Sequence, residues 1–287
     1  MDQEDRSKWG DLSDKSTALE TCATNGYALR FAAEGLQGDH DVVLAAVRQN
    51  GYALRYAKNK QRATNALALA AVEQNGLALC YVGEELRGSK PIAKAACEQN
   101  GWALQFVSEK LRDDKEIVRL SVTNCGDALV FASERMRNDR PTVALALQKS
   151  GDAYMHASET LRKDETLTRT AVAAKGDALK HAAPQLRGAA GVVLEAVRNS
   201  GLALEHAGER CRGDKAVALA ACKCNGMALQ FATPPLQGNK EVVLAAVSEN
   251  GYSLQFASAA LRGDKDVLAA ASAKSQGPLR FAASKGL

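Results

Sequence analysis

The chain of 287 residues is dominated by an internal repeat with a period of 25 residues. Glycine marks this interval ten times without slippage, as Gly26, Gly51, Gly76, Gly101, Gly126, Gly151, Gly176, Gly201, Gly226 and Gly251. We number each repeat from this glycine, so that Tyr27 occupies position 1 and Asp39 occupies position 13. A fixed period of this length indicates stacked copies of one supersecondary unit.

Each repeat predicts two short helices. The first spans about positions 1 to 10, and its small and aliphatic residues follow the spacing of one buried stripe, as in Ala28, Leu29, Ala32 and Leu36. Glycine at position 12 of six repeats predicts that this helix ends in the left-handed conformation. Asp, Asn, Ser or Thr at position 13 of nine repeats out of ten predicts the N-cap of a second helix, with apolar residues at positions 16, 17, 20 and 21.

The pattern therefore predicts an all-α fold, an α-solenoid of stacked two-helix repeats in about eleven layers. We expect residues 1–287 to form a single elongated solenoid. It would comprise a polar N-terminal cap (1–10), a half repeat (11–25), ten full repeats (26–275) and a C-terminal half repeat (276–287). One repeat has Gln61 where leucine belongs and lacks the glycine at position 12, so we expect a local bend at 58–63.

The repeat also has a recognisable consensus. Residues 236–256 and 261–267 show it well, in the pattern Asn-Gly-x-Ala-Leu-x-Phe-Ala-Ser-x-x-Leu-Arg-x-Asp-Lys-x-Val-Val-x-x-Ala-Val. This pattern resembles the short repeats of domain-of-unknown-function family 4116, and the resemblance extends over almost the whole chain. It implies tandem repeats, and it supplies no established activity and no catalytic residue to transfer.

Composition and charge narrow the class of protein. The net charge is +4, which is too small to indicate a polyanionic partner without clustering. No apolar run approaches the roughly 18 to 20 residues of a membrane helix, and the acidic N-terminus resembles no secretory or transit signal. We expect a soluble cytoplasmic protein, with an organellar location of a processed form left open. Seven irregularly spaced cysteines favour free thiols, and we expect no cofactor and no metal site.

Position 11 forms the strongest basic column. Arginine stands there in eight repeats, as Arg62, Arg87, Arg112, Arg137, Arg162, Arg187, Arg212 and Arg262. Such a column could bind single-stranded nucleic acid, since helical repeats are known to read one nucleotide each. Glutamate three residues earlier in five repeats, and aspartate two residues later, favour ion pairs and a structural column instead.

Position 5 carries a planar ring in every repeat, and three consecutive rings are imidazoles: His156, His181 and His206. We expect these rings to be half-buried and to stack between adjacent layers. Close to the imidazoles, aspartate replaces apolar residues at position 1. On an α-helix, the pairs Asp152 with His156 and Asp177 with His181 could raise an imidazole pKa, contact a metal or respond to pH. A metal shared between layers is disfavoured, because layers lie roughly 9 Å apart.

These patterns favour a non-catalytic scaffold that binds protein partners through the outward positions 1, 4 and 8, where residue types vary most. The partner-binding candidates are the aromatic residues Tyr27, Tyr52 and Trp102, the acidic residues Asp127, Asp152 and Asp177, and the three imidazoles. Two alternatives stay open: single-stranded nucleic acid along the arginine column, and an effector or enzyme that uses the His-Asp segment. The sequence predicts no oligomeric state.

Overall fold

The computed structural model describes residues 11–273 and 277–282. In these ranges the chain is an all-α solenoid of stacked repeats, as the period predicts. The repeats group into two compact units, one ending at Lys149 and the other beginning at Ser150, which we call the N-terminal unit and the C-terminal unit. The predicted N-terminal cap 1–10, the end of the tenth full repeat (274–275) and parts of the predicted C-terminal half repeat (276 and 283–287) lie outside the described residues.

A long α-helix occupies positions 14 to 23 of each repeat, and successive long helices pack side by side within each unit. Its inward positions are fully buried, as for Val42, Val43, Ala46 and Val47, which confirms the predicted stripe. The N-terminal unit contains Lys15–Thr24, His40–Gln49, Asn65–Gln74, Lys90–Gln99, Lys115–Asn124 and Arg140–Lys149. The C-terminal unit contains Glu165–Ala174, Ala190–Asn199, Lys215–Cys224, Lys240–Glu249 and Lys265–Ser272.

The predicted N-cap column at position 13 is confirmed in seven repeats. In these, the side chain of Asp39, Asp114, Asp139, Asp164, Asp214, Asn239 or Asp264 accepts a hydrogen bond from a backbone N–H of the first helical turn. The prediction is wrong for Thr64 and Ser89, whose side chains make no capping bond. Ten-residue helices are marginal alone, so these caps and the packing between helices hold them together.

The first half of the repeat differs from the prediction of one continuous helix. Positions 0 to 5 form a 3-10 helix, which we call the 3-10 segment. A separate short helical turn follows, at positions 8 to 11 in eight repeats and at positions 10 to 12 in two. The 3-10 segments are Gly26–Phe31, Gly51–Tyr56, Gly76–Tyr81, Gly101–Phe106, Gly126–Phe131, Gly151–His156, Gly176–His181, Gly201–His206, Gly226–Phe231, Gly251–Phe256 and Gly277–Phe281. The short turns are Leu36–Gly38, Asn59–Arg62, Glu84–Arg87, Glu109–Arg112, Glu134–Arg137, Leu161–Lys163, Pro184–Arg187, Glu209–Arg212, Pro234–Gln237 and Ala259–Arg262.

A backbone hydrogen bond between neighbouring repeats explains this break. The residue at position 6 is extended, as for Val82 with φ −69° and ψ 143°. The next N–H can then donate to the position 11 carbonyl of the preceding repeat, as from Gly83 to Arg62 at 2.9 Å and from Ser108 to Arg87 at 3.1 Å. A continuous helix would use these N–H groups internally, so contact between layers overrides the helical pattern of the sequence.

Two further expectations are wrong. Glycine at position 12 is not left-handed: Gly188 has φ −95° and ψ −4°, a conformation that Asp113 and Asn138 adopt at the same position. The short turn runs directly into the next N-cap, so no reversal of handedness is required. The expected bend at 58–63 is also absent, since Asn59–Arg62 forms the usual short turn and the Gln61 amide donates to the carbonyl of Gly38.

The period-defining glycine is required by a close approach between backbones. A Cβ atom built on Gly51 would lie 2.4 Å from the carbonyl oxygen of Ala71 on the following long helix. Asn50 just before it caps the 3-10 segment by accepting from the N–H of Tyr52 at 3.0 Å. The Asn-Gly pair therefore caps and seats the 3-10 segment in the six repeats that carry it, whereas Cys125, Lys175 and Ser200 at the same position make no capping bond.

Candidate partner-binding face

The 3-10 geometry decides which side chains share the outer surface of a repeat. A 3-10 helix has three residues per turn, so positions 1 and 4 lie one above the other. Gln105 accordingly bonds the carbonyl of Trp102 at 3.0 Å, and Arg30 bonds the hydroxyl of Tyr27 at 2.5 Å. We call the surface formed by positions 1 and 4 the variable face. Between residues 26 and 273, every exposed large apolar side chain lies on it: Tyr27, Trp102, Val130, Met155, Leu202 and Tyr252.

In the N-terminal unit the variable face is aromatic, and its rings contact the position 5 rings of the next repeat. The rings of Tyr27 and Tyr56 meet edge to face with centroids 5.4 Å apart. Tyr52 with Tyr81 and Trp102 with Phe131 repeat this arrangement at 6.0 and 5.7 Å. The half-buried stacking expected of position 5 is therefore present, and its partners in these three pairs are the aromatic candidates at position 1.

Two arginines at position 4, which the sequence analysis did not select, complete this surface. The guanidinium carbon of Arg55 lies 5.0 Å from the ring centroid of Tyr56 and 5.7 Å from that of Tyr81. Arg30 lies similarly over Tyr27 and Phe31, at 5.8 and 5.5 Å. The signal was an arginine three residues after a tyrosine, which is informative only once the segment is known to be a 3-10 helix.

A groove runs along this aromatic surface. It has a volume of about 510 Å³, and its walls include Tyr27, Tyr52, Tyr56, Tyr81, Phe106 and Arg55. No aspartate or glutamate lines it among the described residues. The groove is thus apolar, rigidified by ring contacts and positively charged, which are features of a surface that binds a ligand.

The acidic candidates make different contacts. Asp152 accepts a hydrogen bond from Lys175 at 2.7 Å, and Asp177 accepts one from Ser200 at 3.0 Å, so each bonds a position 24 side chain. Asp127, in the N-terminal unit, has a buried Oδ1 atom that accepts no hydrogen bond within the described residues. The premise of i, i+4 Asp-His pairs is wrong because positions 1 and 5 lie about 120° apart on a 3-10 helix.

The imidazoles are half-buried, and the charges that act on His181 are cationic. Burial lowers the pKa of His181 below its ordinary value, and Lys180, Arg162, His156 and His206 lower it further. The expectation that a neighbouring aspartate raises the pKa is wrong for this histidine. Because His156 and His206 lower the pKa of His181, the three imidazoles form one electrostatically coupled row.

The arginines of position 11 lie between layers. All eight are half-buried, and Arg62 donates through Nε to the Tyr81 carbonyl of the next repeat at 2.6 Å. In the other seven the Nε atom is buried without a hydrogen bond within the described residues: Arg87, Arg112, Arg137, Arg162, Arg187, Arg212 and Arg262. Of the expected pairs with glutamate, Arg112 with Glu109 forms at 3.8 Å, whereas Glu159 pairs with Lys163. This placement favours a structural role over an exposed track for phosphates.

The cysteines are free thiols. Burial raises the pKa of Cys22 and Cys97 to about 11 and that of Cys222 to about 12, so these three behave as small core residues. Within 11–273 and 277–282, no group of three His, Cys, Asp or Glu residues is placed to hold a metal ion. No helix in the same ranges has the length and apolar character needed to cross a bilayer.

The fold and this surface define the class of protein, an α-solenoid whose repeats share one backbone and differ in their outer side chains. The profile of the family described as domain of unknown function (DUF4116) matches residues 14–62, 67–112, 92–137, 114–159, 191–237 and 239–271. The chain therefore belongs to this family, which confirms the resemblance seen in the repeat consensus. No curated protein and no solved structure matches the chain.

Proposed function

We propose that this protein is a non-catalytic scaffold that binds a protein partner through the variable face. One observation carries the proposal: between residues 26 and 273, the exposed large apolar side chains lie at positions 1 and 4. Clustered apolar exposure of this kind is typical of interaction surfaces, and repeat solenoids bind partners through faces whose residues differ from repeat to repeat. The free thiols support a reducing compartment such as the cytoplasm as its location.

Affinity purification with cross-linking and mass spectrometry, from the native cell at low and high salt, tests this proposal. The full chain should retain a partner that cross-links beside the variable face. A variant with Tyr52→Lys and Trp102→Lys should lose it, because both changes place charge on the aromatic part of that face. A control with Glu85→Lys and Thr160→Lys, both exposed at position 9, should retain it.

Three results would contradict the proposal. Equal loss of the partner in the control variant would place the contact elsewhere. Turnover on a substrate panel, without a recovered partner, would favour the enzyme alternative. Steep loss of binding with salt, together with recovery of RNA or single-stranded DNA, would favour the nucleic-acid alternative.

A further inference from the structure

We infer that the groove of the N-terminal unit binds an extended acidic segment of the partner, with a carboxylate on Arg55 and an apolar side chain beyond it. This inference rests on the proposed function and specifies the chemistry of what is bound. Two features of the groove support it: the contacts that fix the aromatic rings, and the position of the Arg55 guanidinium.

The groove is preorganised by contacts between repeats. Tyr27 meets Tyr56 at an interplanar angle of 90°, and Tyr52 meets Tyr81 at 81°. Edge-to-face pairs of this kind fix the ring orientations before any ligand arrives. A ligand that enters the groove therefore orders few side chains, which lowers the entropy lost on binding.

Arg55 supplies the anion-binding group. Its guanidinium lies over the rings of Tyr56 and Tyr81, and the side chain is exposed. Within the described residues it has no carboxylate partner, in contrast to Lys15, which pairs with Asp39 at 2.8 Å. A guanidinium held against ring faces keeps its N–H donors in the guanidinium plane, where a carboxylate can accept two of them.

The distribution of charge favours a short acidic peptide over a nucleic acid. Position 4 reads Arg30, Arg55, Cys80 and Gln105 in successive repeats, so the cationic track ends after two repeats. Proteins that bind a single nucleic-acid strand use a positively charged groove that follows its backbone. In addition, Arg55 already lies over the rings of Tyr56 and Tyr81, on which bases would have to stack.

Beyond Arg55 the wall of the groove is apolar. Leu77, Cys80 and Phe106 line this part of it. Layers lie about 9 Å apart and an extended chain advances about 3.3 Å per residue, so each repeat accommodates roughly three residues of the ligand. The expected segment therefore carries an acidic side chain for Arg55, with an apolar side chain about three residues away from it.

Selection from a displayed library of random dodecapeptides on the immobilised full chain tests this inference. The wild-type protein should enrich Asp or Glu at that distance from an apolar residue. The best peptide, synthesised with a fluorophore, should bind Arg55→Gln about tenfold more weakly or worse. Arg55→Glu should instead select basic peptides. Arg48→Gln, a change at an exposed arginine of a neighbouring long helix, should bind like wild type.

Circular dichroism of each variant checks folding, and an exposed side chain such as Arg55 can be replaced without disturbing the core. The inference is overturned by a pool without acidic enrichment, or by equal binding to wild type and Arg55→Gln. Tighter, Arg55-dependent binding of an oligouridine RNA would also overturn it. If affinity purification still recovers a partner that depends on the variable face, only the inference fails; if it recovers none, the proposed function fails.

Discussion

The variable face has two chemistries on one backbone. In the N-terminal unit it presents aromatic rings with Arg30 and Arg55 over them. In the first repeats of the C-terminal unit the same positions present Asp152 and Asp177, and the neighbouring position 5 rings are imidazoles, before Tyr252 and Phe256 restore the aromatic pattern. Both units nevertheless use the same 3-10 segments, short turns and long helices.

This difference separates two kinds of position within the repeat. Positions 0, 2, 3, 17, 20 and 21 maintain the stack, and most repeats carry glycine, alanine, leucine or valine there. Positions 1 and 4 lie at the surface of the stack, where different residue types are accommodated in different repeats. Four predictions ask whether the two units share one frame and differ mainly in their face.

The largest effect is expected at the period-defining glycine, in both units alike. In Gly51→Ala and Gly201→Ala the new Cβ would lie 2.4 and 2.5 Å from a backbone carbonyl oxygen. Each should lower the free energy of unfolding by roughly 2–3 kcal/mol, because a backbone atom cannot move aside as a side chain can. Urea denaturation measures this loss. Gly188→Ala, whose Cβ would lie 3.5 Å from its nearest neighbour, is the control and should stay within about 0.5 kcal/mol of wild type. Unequal effects in Gly51→Ala and Gly201→Ala would contradict the shared frame, and an equal loss in Gly188→Ala would show that the close approach is not the cause.

The second prediction concerns a core position where the C-terminal unit departs from the frame. Position 3 is leucine in the other full repeats, but Tyr154 is fully buried there and its hydroxyl contacts Thr168 Oγ1 at 2.6 Å and the Arg162 carbonyl at 3.1 Å. Tyr154→Phe should cost about 1 kcal/mol in urea denaturation, since the hydrogen bonds of the hydroxyl with Thr168 and with the Arg162 carbonyl are lost. Tyr252→Phe, at an exposed ring, should cost little. An unchanged free energy of unfolding in Tyr154→Phe would show that this polar contact does not stabilise the core.

The third prediction tests the N-cap column. Asp214 accepts from the N–H of Val217 at 3.0 Å, whereas Ser89 makes no capping bond. Asp214→Ala should cost about 1 kcal/mol and Ser89→Ala close to nothing in the same assay. An equal loss of stability in the two variants would show that the capping bond of Asp214 does not stabilise its helix.

The smallest effect is expected from the imidazole row, and it should arise in the C-terminal unit. The pKa of His181 is lowered in the folded protein by burial and by Lys180, Arg162, His156 and His206. As the pH falls below the ordinary imidazole value, the unfolded chain binds the proton first, and stability is lost. The urea midpoint should therefore fall less in His181→Phe than in wild type between about pH 7.5 and about pH 5.5. His40→Gln should behave like wild type, and an unchanged pH response in His181→Phe would contradict the prediction.

Sequence patterns predicted the features that depend on residues close together in the chain, and they failed for features that depend on contacts between repeats. The long helices, their caps and their buried stripe could be predicted because they depend on residues three or four apart, as in Asp39 and Val42. The 3-10 segment could not, because its break at position 6 depends on a bond from Gly83 to Arg62 in another repeat. The error at position 6 then produced the wrong Asp-His pairs, whereas the outward placement of position 4, which includes Arg55, agrees with the prediction.

By itself, the sequence determined the 25-residue period, the all-α class and the positions that form the core, since all three are repeated in the order of residues. The tertiary structure alone decided that each first helix divides into a 3-10 segment and a short turn. It also decided that the period-defining glycine seats one backbone against another, as Gly51 does on Ala71, and that Arg55 stacks between rings of consecutive repeats. The physical reason is that these features depend on distances between residues far apart in the chain, which packing sets and local propensity does not.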